Sequence, residues 1–238
     1  MILFISPAKT FRKTTQSSDS YPVMINDTLP LLTKLKSMSA KTLAKHMKIS
    51  LKVAETTHEY YQNFDLNPTP AIYTYFGHQY KHINPDALSE KEISFMNDHL
   101  YIMDGLYGLL KPLDLISYYR LEMQDKTIKN LYKYWTPKIT DYLKQSHKND
   151  VFINLASNEY GQIIKDLDQT YTLEFYQQKN DKLGIHSMEA KKLRGLMVHH
   201  ICKNQLDSVD DLYTIEIEGY RYSQKHSKEK TILFIKEL

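Results

Sequence analysis

An α+β fold is what this sequence predicts: one domain over residues 1–238, with a mixed β-sheet and helices around it. Three observations point there. Short apolar runs such as Ile2-Leu3-Phe4-Ile5 and Val151-Phe152-Ile153-Asn154-Leu155 pass straight into polar segments, the pattern of buried strands. Between them stand helical segments opened by serine caps at Ser39, Ser50 and Ser89. The last third carries strand candidates at Thr172 to Tyr176, Leu183 to Met188, Tyr213 to Gly219 and Thr231 to Ile235, grouped as hairpins.

Length and composition set the bounds. A chain of 238 residues suits one large domain better than two small ones and can bury a substantial core. Hydrophobic residues at 42% and charged residues at 25% are ordinary for a globular protein. Nineteen tyrosines are not ordinary, and they offer apolar area with a polar tip for cores, interfaces or stacking on bases. The formal charge is only +3, yet residues 1–52 hold nine lysines and arginines against Asp19 and Asp27. That asymmetry fits either an anionic partner or a solvated basic face. The single cysteine, Cys202, excludes an internal disulfide and a cysteine-rich zinc site. Without a signal peptide or a long apolar run, the expected compartment is the cytoplasm, with no membrane partner.

Taken in order, the first strand runs into Ser6-Pro7-Ala8-Lys9, and residues 12–28 form a polar, mobile loop. A helix begins over Leu29 to Leu35 with Pro30 in its first turn. Ser39 caps a helix through Lys48, and Ser50 caps a longer one through Phe64. After the Asn67-Pro68-Thr69-Pro70 break, Ile72 to Phe76 is a strand candidate ending at Gly77. Ser89 and Glu92 make a capping box for a helix over 90–99. Leu131 to Leu143 is amphipathic helix with a boundary near Pro137, and another helix starts from Glu159. The strands flanking Lys179-Asn180-Asp181 pair around that turn, Ala190 to Leu206 is helical, and a last hairpin joins Tyr213 to Gly219 with Thr231 to Ile235.

The stretch Leu100 to Met123 organises the rest. An apolar run stops at Asp104-Gly105, Leu106 to Leu110 reads as one or two helical turns, and Lys111-Pro112 ends them. Gly105 and Gly108 either make a tight packing turn or let a phosphate approach the main chain.

Four predicted strands end in polar or charged segments: Ser6 to Lys9, Asp104 to Gly108, Asn154 to Ser157, and Glu189 to Arg194. If these ends share one edge of a sheet with parallel strands, Lys9, Asn154, Ser157, Lys191 and Arg194 converge, and that cationic set suits phosphate. The competing reading makes each a cap or a surface charge. Tyr118-Tyr119-Arg120-Leu121-Glu122 and Tyr132-Lys133-Tyr134-Trp135 mix cations with rings, in the manner of a nucleic-acid groove. An Arg120–Glu122 pair with buried tyrosines is the alternative. No metal site is expected: His78 and His82 are four apart, but Gly77 and the tyrosines argue against a helix there. Nucleophilic catalysis is no better supported, since Ser157 lacks a histidine partner and Cys202 reads as core. Phosphate-loop and dinucleotide fingerprints are both absent.

Together, Ser-Pro-Ala-Lys at 6–9, Asp104-Gly-Leu-Tyr-Gly-Leu-Leu-Lys-Pro-Leu-Asp114, Tyr119-Arg-Leu-Glu-Met123, Asn154-Leu-Ala-Ser157 with Glu159-Tyr160, and Ala190-Lys-Lys-Leu-Arg-Gly-Leu-Met197 resemble the YaaA peroxide-stress proteins. The motifs keep their order from residue 1 to beyond 219. The resemblance implies resistance to hydrogen peroxide, limitation of intracellular free iron, and a compact fold with a helix-hairpin-helix element. It also implies a positively charged cleft that binds duplex DNA. A helix-hairpin-helix grips phosphates through turn amides, and Gly105 to Gly108 is the segment that resembles it, with one residue more between the glycines. The expected DNA-binding set is therefore Lys9, Gly105, Gly108, Lys111, Arg120, Lys191, Lys192 and Arg194. The partner is double-stranded DNA, contacted without regard to sequence and open to bent or mismatched forms, by a monomer without cofactor or metal. The alternative is an enzyme acting on a phosphorylated small molecule or a nucleic-acid lesion, with Asp104, Glu122, Asn154 and Ser157 as its polar centre.

Overall fold

A computed structural model of the chain describes residues 1–180 and 182–238. Strand β1 (Ile2–Ile5) opens the chain, with β2 (Thr10–Phe11) close behind. Three helices follow: α1 (Ile25–Lys36), α2 (Ala40–Met47) and α3 (Leu51–Gln62). Ser39 and Ser50 cap α2 and α3, each accepting a backbone N–H three residues on. Then come β3 (Thr69–Pro70), a single turn α4 (Ala71–Thr74), β4 (Tyr75–Phe76), α5 (His78–Ile83) and α6 (Glu90–His99). The capping box at Ser89 and Glu92 is formed in both directions. The middle of the chain gives β5 (Leu100–Asp104), β6 (Gly108–Leu110), β7 (Leu115–Ile116) and the long α7 (Leu131–Ser146). The last part holds β8 (Phe152–Asn154), α8 (Asn158–Gly161), β9 (Thr170–Lys179), β10 (Lys182–Gly184), α9 (Ser187–Asn204), α10 (Val209–Leu212), β11 (Glu216–Ile217), β12 (Tyr220–Tyr222) and β13 (Thr231–Glu237).

One large mixed sheet carries the structure, in the order β11-β12-β13-β9-β8-β1-β5-β6, with β10 on β9. Strands β13, β9, β8, β1 and β5 run parallel, and β6, β10, β11 and β12 are antiparallel to their neighbours. β1 lies between β5 and β8, with every residue buried. A strand covered on both faces must be apolar throughout, which is why Ile2 to Ile5 shows no alternation. Helices cover the sheet, and one continuous core links β1, β5, β8, β9 and β13 to Trp135 of α7 and to Leu193, Met197 and Ile201 of α9.

The structure corrects several expectations. Leu106 to Leu110 is not helical: Ile102, Met103 and Asp104 pair with Leu110, Leu109 and Gly108, so the glycine stretch is a β-hairpin and no helix-hairpin-helix forms there. Asp104 decides this, because its Oδ1 accepts the backbone N–H groups of Leu106 at 2.7 Å and Tyr107 at 2.8 Å and folds the chain back. Pro30 lies inside α1, which starts at Ile25 within the expected mobile loop, and Pro137 lies inside α7 without ending it. Ile72 to Phe76 divides into the α4 turn and the two residues of β4. Leu183 to Met188 leaves the strand at Gly184, and Ser187 opens α9 instead. Asp181, part of the turn expected from sequence, lies outside the described residues. β13 pairs with β12, not with Tyr213 to Gly219, so the segment expected as a polar loop contains a strand.

Candidate functional site

The carboxyl ends of β1 and β8 lie side by side, since Phe4 pairs with Asn154. Beyond that edge is a pocket of about 400 Å³. Its walls come from Ser6 to Thr10 after β1, Ser157, Glu159 and Tyr160 after β8, Phe76 to Tyr80 across β4 and α5, and Lys191 and Arg194 of α9. In parallel sheets ligands gather at such an edge, because loops and helix starts splay apart there.

Hydroxyls tie the two strand ends together. Ser6 Oγ accepts the Ser157 N–H at 2.9 Å and donates to Ser157 Oγ at 3.2 Å. Asn154 stands behind this pair. Its Oδ1 accepts the Ala156 N–H at 3.0 Å and its Nδ2 donates to Thr172 Oγ1 at 3.3 Å, so it shapes the turn that presents Ser157. Tyr80 OH donates to the Ser6 carbonyl at 2.9 Å and anchors α5 to the same corner.

Gly195 brings α5 and α9 together. A Cβ built there would sit 2.3 Å from the Gln79 carbonyl oxygen and 2.9 Å from His82 Cβ, so only glycine permits this approach. The contact sets Gln79 of α5 beside Arg194 and Lys191, one turn apart on α9. Gln79 is 8% exposed, and its Nε2 is buried without a hydrogen-bond partner. Arg194 Nε is buried and unpartnered as well. Burial lowers the Arg194 pKa, opposed by Glu174 and Tyr176 on β9. Lys191 is exposed and forms no ion pair among the described residues.

Carboxylates border this cationic corner. Lys9 pairs with Glu122, and Arg120 reaches the other oxygen of Glu122 at 3.1 Å. Glu159 accepts the Gln124 N–H at 3.2 Å. Its pKa is raised by burial foremost and by nearby Glu122, against the pull of Gln124 and Lys9. Burial likewise pushes Asp125 up to about 6, helped by Glu122.

Of the residues expected from sequence, Lys9, Ser157, Lys191 and Arg194 line the pocket, Asn154 supports it, and Arg120 and Glu122 adjoin it through Lys9. The others lie elsewhere. Lys192 points off the pocket to Glu218. Lys111 follows β6, which runs back toward the start of β5 and away from the carboxyl edge. Gly105 and Gly108 are buried: Gly105 O accepts Trp135 Nε1–H at 2.9 Å, Leu106 O accepts from Thr28 at 3.1 Å, and the Leu106 and Tyr107 amides are held by Asp104. The turn is therefore internal packing, and its amides are not offered to solvent. Asp104 is fully buried and sealed from the pocket, its Oδ2 accepting from Tyr75 at 2.8 Å and from Tyr119. Burial raises its pKa against those four hydrogen bonds.

Sequence reasoning misses Gln79, Tyr80 and His78 as pocket residues, because Gly77 and the tyrosines argue against the helix α5 that presents them. His78 and His82 do share α5, with ring centroids 4.8 Å apart. Among the described residues no group of three or more His, Cys, Asp or Glu side chains is placed to hold a metal ion. Cys202 is buried in α9, its thiol pushed up to about 12 by burial. No helix among the described residues is long and apolar enough to cross a membrane.

Comparison with known proteins matches residues 1–226 to the family described as peroxide stress protein YaaA. A UPF0246 protein of Legionella pneumophila strain Lens is 36% identical over 255 residues, spanning 99% of both chains. A UPF0246 protein of Finegoldia magna is 36% identical, spanning 100% of this chain and 99% of its own. One of Clostridioides difficile is 36% identical over the whole of both chains. With a match of this extent, the chain belongs to the peroxide stress protein YaaA family.

Proposed function

We propose that this protein binds duplex DNA without regard to sequence, through a positively charged cleft at the carboxyl edge of β1 and β8. It would do so as a cytoplasmic monomer and as part of a peroxide stress response that limits intracellular free iron and oxidative DNA damage. The observation that carries the reading is the convergence of Lys9, Lys191 and Arg194 on one pocket from two distant parts of the chain, the segment after β1 and helix α9. Arg120 adjoins them through the Glu122 bridge. Cations from distant segments repel one another, and an anionic partner offsets that cost. Phosphates are such a partner: Arg presents a fork of donors, Lys a point charge.

The test is binding of a labelled duplex, plain and mismatched, across a salt series, beside a Lys191→Ala, Arg194→Ala double variant. The expected plot of log K against log salt falls by about 0.9 per phosphate neutralised, and the variant's slope is shallower by about two such steps. Binding that does not respond to salt, or that the double variant leaves unchanged, refutes the reading.

A second reading is favoured by the pocket's size and its unpartnered donors: an enzyme acting on a phosphorylated small molecule or a nucleic-acid lesion in the same cleft. Of the polar centre expected for it, Ser157 lines the pocket with Asn154 behind it, Glu122 borders it, and Asp104 is sealed away. Glu159, with its raised pKa, is the carboxylate in the pocket best suited to move a proton. Turnover lost in Glu159→Gln, with binding retained, would establish that reading.

A further inference from the structure

We propose that the floor of this pocket is a socket for a terminal phosphate, a phosphomonoester dianion held by Gln79, Arg194 and Ser157 with Lys191 at its mouth. The inference rests on the reading that the cleft takes phosphate esters, and it names which kind.

Two buried donors have no partner. Gln79 Nε2 and Arg194 Nε both lie out of contact with solvent, both belong to pocket-lining residues, and neither makes a hydrogen bond. Buried N–H groups are almost always paired, because leaving one unpaired loses its water without replacement. Both side chains line one pocket on helices α5 and α9, which close on each other at Gly195, so an acceptor drawn into that floor would meet both. Ser6 and Ser157 line the same pocket, and with Ser6 Oγ donating to Ser157 Oγ the Ser157 hydroxyl proton is left for a ligand.

The number of donors and the shape of the pocket select the ligand. An internal phosphodiester of a nucleic-acid chain offers two non-bridging oxygens and one negative charge. A monoester offers three oxygens and close to two charges near neutrality. With the Ser6 hydroxyl already donating to Ser157 Oγ, the Gln79 amide, the Arg194 guanidinium, the Ser157 hydroxyl and the Lys191 ammonium remain, and a monoester's third oxygen and second charge engage more of them than a diester does. A pocket of about 400 Å³ admits a phosphate with its sugar but not a continuous duplex. Charge balance agrees. Glu174 and Tyr176 face Arg194 from β9, yet burial still disfavours the charged guanidinium, a cost that a bound dianion offsets. Glu159 lines the same pocket and Glu122 pairs with Lys9, so these carboxylates offset part of the positive charge and leave Lys191 and Arg194 as the cations that face a ligand.

The phosphomonoester could be a 5′-phosphorylated DNA end or a free nucleotide or sugar phosphate, and the experiment separates them. The full chain is titrated with a blunt duplex carrying 5′-phosphates, with the same duplex bearing 5′-hydroxyls, and with thymidine 5′-monophosphate against thymidine. The expected result is about tenfold tighter binding of the phosphorylated member of each pair, the scale of one or two charge-assisted hydrogen bonds. In Gln79→Leu that ratio falls toward one. The native chain's ratio decides the matter even if the variant fails to fold. Tight duplex binding with no preference for phosphorylated ends, and no difference between nucleotide and nucleoside, overturns the socket and leaves duplex binding standing. Selective binding of the nucleotide with no duplex binding supports the socket, assigns it to a small phosphorylated molecule, and removes the DNA reading.

Discussion

Replacing Gly195 by alanine sets two well-known effects against each other. Gly195 lies in the interior of α9, where alanine ordinarily stabilises a helix by about 1 kcal/mol. Here the new Cβ would stand 2.3 Å from the Gln79 carbonyl oxygen and 2.9 Å from His82 Cβ. Close carbon–oxygen contacts settle near roughly 3.3 Å, so α5 must retreat by about 1 Å. Its backbone cannot swing aside as a side-chain tip can, because Tyr80 OH holds α5 to the Ser6 carbonyl and His199 holds the Ile83 carbonyl at 2.8 Å. Overpacking of this kind costs about 1–3 kcal/mol, and the rigid neighbour places Gly195→Ala at the upper end. The net expectation is destabilisation by about 2 kcal/mol, a fall in Tm of roughly 4–8 °C for a chain of this size. Thermal unfolding followed by circular dichroism measures it, and urea unfolding with an unchanged m-value confirms that stability alone has moved. A Tm that is unchanged or raised would show that α5 yields freely, and would refute the claim that this contact sets the pocket's width.

Two further predictions concern the hairpin and the acidic border. Gly108→Ala forces a side chain onto a left-handed φ of +73° and a Cβ to within 2.5 Å of Trp135, so it should cost about 3 kcal/mol or more and shift the indole fluorescence. For Asp125, burial raises the folded pKa to about 6 from an ordinary 3.8. Between those values the folded state keeps a proton that the unfolded chain has lost, so the group's contribution to stability falls as pH rises through that window. Asp125→Asn can keep the Glu122 N–H bond and should be more stable than the native chain by about 1–2 kcal/mol above pH 6. The advantage should disappear near pH 3, which denaturation at three pH values would check.

How far the sequence reveals this structure depends on the range of the forces involved. Ser39, Ser50 and Ser89 announce their helices because a cap acts over three residues. The strand ends at Lys9, Asn154 and Ser157 were legible for a similar reason, since an apolar run that stops abruptly marks the edge of a sheet. What brings them together, β1 lying between β5 and β8, is long-range pairing that no local pattern encodes. Leu106 to Leu110 misled because its apolar spacing suits a helix, while the Asp104 side chain captures two amides and the glycine takes a left-handed turn. Gln79 was invisible: a lone glutamine after a glycine carries no signal until Gly195, more than a hundred residues away, is seen to press against it.

The position of β1 also bears on how the molecule is made. Leu3 pairs with Leu100 on one side and with Ile153 on the other, so β1 cannot find its second partner until β8 has been made. At about 5–20 residues per second, a ribosome takes roughly 3–10 s to pass from Leu100 to Ile153, and the apolar strand stays half-paired for that time. High contact order slows the final closure further. Until β8 is made the apolar β1 lacks one neighbour, so yield in a foreign host should respond to chaperone capacity and growth temperature.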